Sequence, residues 1–253
     1  MRALITNDDG IDSPGLPALA IAAREHGLDV VVAAPARQSS GSSASITAAE
    51  DDGRIRIERR ELPGLPGIPG FAVQGAPGLI ALIASHGAFG DKPELVLSGI
   101  NHGANVGNAI LHSGTVGAAL TGGMGGALGL AVSLDVGFDP AAFEWDAAAR
   151  VARGVLPVLL ARAPGTVLNL NVPNTGAAVE VREATLAPFG IVQTTMHRDG
   201  DAHVRLAVED LPNEPVPGSD AALLAEGYAT LTSITAVTGI PLGHLSLASA
   251  PSR

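Results

Sequence analysis

Apolar residues fall in short, nearly unbroken runs over the first two thirds of the chain, with helical spacing in the gaps between them. Residues 3–6 (Ala-Leu-Ile-Thr), 28–35 (Leu-Asp-Val-Val-Val-Ala-Ala-Pro), 71–75, 94–99, 129–134 and 166–173 read as strands. The first helical pattern has Pro14 near its start, runs through Leu16, Leu19, Ile21 and Ala22, and stops near Gly27. Further helices are expected over 77–86, over the small-residue stretch from Gly114 to about Gly126, and over the amphipathic stretch 140–163. A strand, a helix and a strand within about 35 residues make a βαβ unit with parallel pairing. Its repetition predicts a Rossmann-like, doubly wound, mainly parallel α/β sheet up to about residue 173.

The pattern breaks in a few places. Residues 36–53 read as a long Ser/Ala/Gly-rich loop, 54–62 alternate like a strand with one wet face, and 62–70 form a turn-rich link. Beyond 173, residues 178–208 alternate in the manner of antiparallel strands. Residues 211–220 are rich in Pro, Asn and Gly, and 227–234 read as a late strand. The expected organisation is a Rossmann-like α/β core over 1–173, followed by an antiparallel extension and C-terminal segment over 174–253.

Charge narrows the function. With 25 Asp and Glu against 15 Lys and Arg, the net charge of -10 repels nucleic-acid polymers and anionic membranes. The absence of cysteine removes disulfides, thiolate nucleophiles and Cys-ligated zinc, and fits a cytoplasmic enzyme. The apolar run at the N-terminus is four residues long before Asn7, too short for a signal-peptide core. Residues 95–134 contain no charged side chain. Ser, Asn, His and Gly interrupt them, however, so a buried interior segment is expected in place of a span of about 20 apolar residues.

Four polar clusters follow predicted strands: 6–10 (TNDDG), 36–43 (ARQSSGSS), 98–108 (SGINHGANVGN) and 112–115 (HSGT). In an open parallel sheet the carboxyl ends of strands face the ligand crevice, so the topology would gather these clusters on one edge. Asp8 and Asp9 then lie side by side among neutral groups, an arrangement that a hard divalent cation with oxygen ligands would satisfy. The plainer alternative is that one aspartate caps the first helix while the other is solvated. HSGT before a helix suits a phosphate at the helix N-terminus, although Ser and Thr also serve there as simple caps. The Asn/Gly loop offers close backbone approach and amide oxygens, or is an ordinary turn. His102 and His112 are candidate proton donors, or loop histidines with structural partners. An NAD-type Rossmann enzyme is disfavoured, because NDDG stands where G-x-G-x-x-G belongs.

Taken in order, TNDDGIDSPG, VVVAAPARQSSGSSASIT, ELVLSGINHGANVG, HSGTVGAAL, LAVSL and LNLNVP resemble the SurE family, the survival-protein-E 5'/3'-nucleotidases. The resemblance covers residues 1 to about 173 and is weaker afterwards. It implies a metal-dependent phosphomonoesterase acting on nucleoside monophosphates, with one Mg²⁺ or Mn²⁺ per subunit (or Ca²⁺ in a crystal), in a homodimer or homotetramer. By motif match, Asp8, Asp9, Ser40 and Asn101 would be the metal ligands, with Ser39 the near miss. Asn105 and the turn Ser113, Gly114, Thr115 would contact phosphate. Asp8 and Asp9 would also be the catalytic residues, as ligands to the ion that activates water or, on a second route, through aspartyl-phosphate formation. The chain departs from the family pattern at Gly75–Ala81 (GAPGLIA), at Thr121 where Glu is common, and at His112 where Tyr is common. These departures keep an alternative open, a nucleotide-binding regulatory protein with weak or no hydrolysis.

Overall fold

The structure is a computed structural model that describes residues 1–48, 50–52, 54–137, 142–188, 192–199, 203–210, 216–235 and 237–239, with backbone only at 50–51, 192–199 and 203–210. It opens with β1 (Arg2–Thr6), α1 (Gly15–Glu25) and β2 (Asp29–Pro35), a parallel βαβ unit. The pieces β3 (Glu50–Asp51) and β4 (Arg54–Ile55) pair with each other, and β5 (Ile57–Arg60) runs antiparallel to β6 (Gly70–Val73). Next come α2 (Pro77–Ser85), β7 (Leu95–His102), a 3-10 turn (Gly107–His112) and α3 (Gly114–Met124). They lead into β8 (Leu128–Asp135), α4 (Trp145–Leu160) and β9 (Val167–Pro173). The remainder comprises β10 (Val181–Glu183), the hairpin β11 (Val192–Asp199) and β12 (His203–Asp210), α5 (Asp220–Ala225) and β13 (Ala229–Ile234).

Nine strands join one sheet in the order β10-β13-β9-β8-β7-β1-β2-β6-β5. Its centre, from β9 to β6, is parallel throughout, and β5 and β13 pair antiparallel at its two sides. The expected mixed, mainly parallel α/β sheet is therefore present. Strand residues alternate between two cores. Ala3 and Ile5 of β1 join Leu16 and Leu19 of α1 and Leu156 of α4, while Leu4 joins Ile80 of α2 and Ala118 of α3. Strands covered on both faces must be apolar on both faces, which is why they read as continuous runs.

Smaller differences have local causes. The loop expected over 36–53 includes β3, and the strand expected over 54–62 is interrupted at Arg56 and ends at Arg60. The helix expected over 140–163 spans Trp145–Leu160, and positions 138–141 lie outside the described residues. Within 178–208, β10 pairs in parallel with β13, whereas β11 and β12 pair antiparallel. Positions 211–215 of the expected Pro-rich stretch lie outside the described residues. The charge-free stretch from 95 to 134 supplies β7, the 3-10 turn, α3 and most of β8, and among the described residues no helix is long and apolar enough to cross a membrane.

Two features position the site. The chain runs from β1 outward through β2 and β6, then returns to the other side of β1 as β7. Connections from β1 and β7 thus leave in opposite directions and open a crevice at their carboxyl ends. The second feature is a bulge in β7. Ser98 pairs with Ala131 and pairing resumes at Asn101 with Ser133, three steps on one strand against two on the other. Gly99 occupies the extra position at φ +137°, and a Cβ there would lie 2.2 Å from the Val132 carbonyl oxygen. The extra residue shifts the alternation of every β7 side chain beyond it by one.

Candidate metal and phosphate site

The NDDG turn is stapled from within. Fully buried Asn7 donates from Nδ2 to the Gly10 carbonyl (2.9 Å) and to Ser13 Oγ (3.0 Å), and its Oδ1 accepts the Gly10 N–H (3.1 Å). This leaves Asp8 and Asp9 at the end of β1, facing the crevice. Asp8 is buried, and its Oδ1 accepts a short hydrogen bond from the Thr115 hydroxyl. Asp9 Oδ2 accepts the His102 N–H at 3.1 Å. Neither aspartate caps α1, whose N-cap is Pro14 with no side-chain cap. The simple capping alternative is thereby removed.

Both carboxylates line a cavity of about 310 Å³, together with Gln38, Ser40, Asn101, Asn105, His112 and Ser113. No Lys or Arg is among its lining residues. Burial raises the Asp8 pKa above its ordinary 3.8, the Thr115 hydrogen bond opposes the rise, and the Asp9 charge adds to it. The surrounding donors are neutral oxygens. Asn101 Nδ2 donates to the Gly103 carbonyl at 2.7 Å, which leaves its amide oxygen as the free ligand atom. Ser40 Oγ accepts from Gln38 Nε2 at 3.0 Å and keeps a lone pair. Two carboxylates with hydroxyl and amide oxygens, lacking a counter-charge, fit a hard divalent cation. Among the described residues no three His, Asp or Glu side chains are arranged to hold a metal ion by themselves, so a ligand set here draws on these neutral oxygens.

The phosphate side is built by α3. Ser113 is its N-cap and accepts the Val116 N–H at 3.1 Å. A Cβ at Gly114 would lie 2.5 Å from Ser42 Oγ and 2.8 Å from Asp8 Oδ2, so only glycine lets the helix end approach the carboxylate this closely. Ser43 ties the 40–45 loop to the same turn, with Oγ donating to the Leu111 carbonyl (2.6 Å) and N–H to the His112 carbonyl (3.2 Å). Of the sequence candidates, Asp8, Asp9, Ser40, Asn101, Asn105, Ser113, His102 and His112 share the cavity. Ser39 lines a different cavity, and Thr115 sits behind Asp8, with its hydroxyl committed there. Gly75 and Ala76 also line that other cavity, and the Thr121 hydroxyl bonds its own helix at Gly117, so only His112 of the three departures reaches the site.

The chain that builds this arrangement, carboxylates beside a helix N-terminus with no Lys or Arg lining the cavity, matches a known family in sequence. A family model described as "Survival protein SurE" matches residues 3–197. The chain belongs to the SurE family. A protein named 5'-nucleotidase SurE from Rhodopirellula baltica is 35% identical over 243 residues, 92% of either chain. Another of that name from Xanthomonas axonopodis pv. citri is 40% identical over 176 residues, 69% of this chain and 64% of its own. The crystal structure of the SurE protein from Aquifex aeolicus matches with a TM-score of 0.72 and 28% identity over 93% of both chains.

Sequence reading missed the groups that hold this SurE site in place. The Asn105 N–H donates to Asn171 Oδ1 (2.7 Å), and its carbonyl accepts from Asn169 and Asn171 Nδ2 (2.8 and 2.9 Å). Its own amide donates to Ser133 Oγ at 2.9 Å. The signal was present, since two asparagines in the buried run LNLNVP have to find partners. Fully buried Asp220 accepts the N–H groups of Gly107 (2.8 Å), Ala187 (2.9 Å) and Ala221 (2.8 Å) and so clamps the 3-10 turn from the far end of the chain. No local pattern marks it.

The Asp8–Thr115 bond yields a first expected outcome. Thr115→Val removes the donor that favours ionised Asp8, so the acid limb of the activity profile moves to higher pH, whereas Thr115→Ser retains the wild-type limb. Coincident pH–rate curves for the three forms would contradict this role.

Proposed function

We propose that this SurE family member is a divalent-metal-dependent phosphomonoesterase that releases phosphate from nucleoside 5'-monophosphates, and from 3'-monophosphates as a second substrate class. The observation that carries the reading is the pair of carboxylates in a cavity lined by no Lys or Arg, beside the N-terminus of α3. Its relatives' name, 5'-nucleotidase, supports the substrate class. Asp8, Asp9, Ser40 and Asn101 would hold Mg²⁺ or Mn²⁺. The bound ion would polarise a phosphoryl oxygen and make water nucleophilic near neutral pH. Asp8 and Asp9 provide the negative charge, each with one oxygen fixed by Thr115 or His102. The start of α3 and the Asn105 side chain receive the phosphoryl oxygens, and preorganised donors of this kind stabilise charge that grows in the transition state. His112 on the cavity wall is within the site to protonate the departing alkoxide.

A phosphatase panel tests the reading. Phosphate release from 5'-AMP and 3'-AMP is expected with Mg²⁺ or Mn²⁺, to fall to background in EDTA, and to return when the ion is restored. Tight nucleotide binding without turnover under every metal condition would replace this reading with that of a nucleotide-binding regulator. Full activity in EDTA would remove the metal assignment.

A further inference from the structure

A second cavity of about 570 Å³ opens beside the first and shares Asp9, Gln38 and His102 with it. Its character is different. Ile11, Pro14, Ala36, Phe143 and Trp145 give it an apolar wall that the first cavity lacks. The Phe143 and Trp145 rings stack with centroids 5.5 Å apart and planes 22° apart, and His102 lies 5.0 Å from Phe143. Phe143 is 43% exposed, while Trp145 is half-buried with part of its surface packed against the main core.

The segment that carries these rings is fastened to the sheet. Asn174, just beyond β9, donates from Nδ2 to the Ala142 carbonyl (2.8 Å) and accepts the Glu144 N–H at Oδ1 (2.9 Å). The aromatic wall therefore stands at a fixed place beside the metal cavity. Arg37 lines the same cavity and makes no ion pair or hydrogen bond with a described residue. A flat apolar face with a guanidinium at its edge, continuous with a phosphate-sized polar site, matches the shape and chemistry of a nucleobase.

We propose that this cavity is the base subsite, in which the purine or pyrimidine ring stacks on Phe143 and Trp145 while Arg37 faces the ring's polar edge. The proposal rests on the neighbouring cavity being the phosphate site. It makes Phe143 and Trp145 the residues that separate nucleotides from other phosphomonoesters. Stacking tolerates every base because each has a π-face, so a broad preference among bases follows. A ring is required; which ring matters less.

Trp145 is the only tryptophan in the chain, so its emission reports on this wall alone. Adenosine, which needs neither metal nor turnover, is expected to quench that emission saturably when excited at the red edge of indole absorption, and ribose is not. In kinetics, the ratio of kcat/KM for 5'-AMP to that for ribose 5-phosphate is expected to fall about 5- to 150-fold in Trp145→Ala and in Phe143→Ala. Trp145→Phe restores most of the ratio. Phe143 is exposed enough for its alanine variant to fold even where Trp145→Ala does not. An absent or unsaturable response to adenosine, or an unchanged ratio in both alanine variants, overturns the base subsite. Should the wild type hydrolyse neither phosphate, the nucleotidase reading fails, and the adenosine titration still decides this one.

Discussion

Asp8→Asn lowers hydrolysis of 5'-AMP by more than about a hundredfold and, in EDTA, raises the melting temperature of the same chain. Loss of groups that only orient a metal ligand costs about 10- to 100-fold, and removal of a ligand's own charge costs more. The gain in stability has the opposite sign because the buried carboxylate is unfavourable without a cation. Its pKa stands above the ordinary 3.8, chiefly through burial. In the window just above pH 3.8 the folded, metal-free chain therefore keeps a proton that the unfolded chain has released. The stability contributed by this group falls as pH rises through that window and stays low at neutral pH. Asparagine carries no charge to desolvate and still offers Thr115 an acceptor. At pH 7 in EDTA the variant is expected to melt on the order of 2–4 °C higher, the shift that 1 kcal/mol gives in a domain of this size. The margin closes on acidification towards pH 3.8. With Mg²⁺ the order reverses, since binding to the folded state stabilises the wild type alone. A variant that melts lower than wild type in EDTA, or that keeps wild-type turnover, would refute the account.

Gly99→Ala is expected to produce the largest structural effect of any single methyl group near the site. The added carbon meets a backbone oxygen at 2.2 Å, and that oxygen belongs to β8, which cannot move aside as a flexible side chain would. The residue also has φ +137°, a region that alanine enters only under strain. Overpacking and backbone strain of this kind each cost about 1–3 kcal/mol. At about 3 kcal/mol the melting temperature falls by roughly 6–12 °C. Relief by straightening β7 would return the side chains beyond Ser98 to regular alternation and turn Asn101 to the other face. Activity is then lost even where the variant stays folded. Circular dichroism melts and the phosphate assay on one preparation separate these two effects, and wild-type values in both would show that the bulge carries no constraint.

The parallel centre of the fold was legible because burial on two faces leaves an unmistakable mark. Val30 to Ala34 and Leu95 to Leu97 have no wet side to disguise them. Asp8 and Asp9 were legible for an electrostatic reason, as adjacent charges in a neutral setting. What a short window does not contain was missed. The bulge at Gly99 depends on the register of β8 some thirty residues later. Asn169 and Asn171 acquire their meaning from Asn105, and β10, expected as part of an antiparallel stretch, takes its parallel direction from β13. The start of α4 follows the hold of Asn174 on Glu144, a contact across 30 positions. In each case the deciding contact is remote in sequence.

Asp220 is the most remote of these, and its place in the chain has a consequence for synthesis. All four proposed ligands have been made once Asn101 is complete, but the carboxylate that holds Gly107 comes 119 positions later. At about 5–20 residues per second a ribosome takes on the order of 6–24 s to cover that distance. During that interval the nascent chain carries every ligand while the turn beside them has no clamp. β13, which closes the sheet against β9, emerges later still. Competence thus arrives only once Asp220 and β13 have been made, and ribosome-bound chains arrested before Asp220 should bind metal yet turn over little nucleotide.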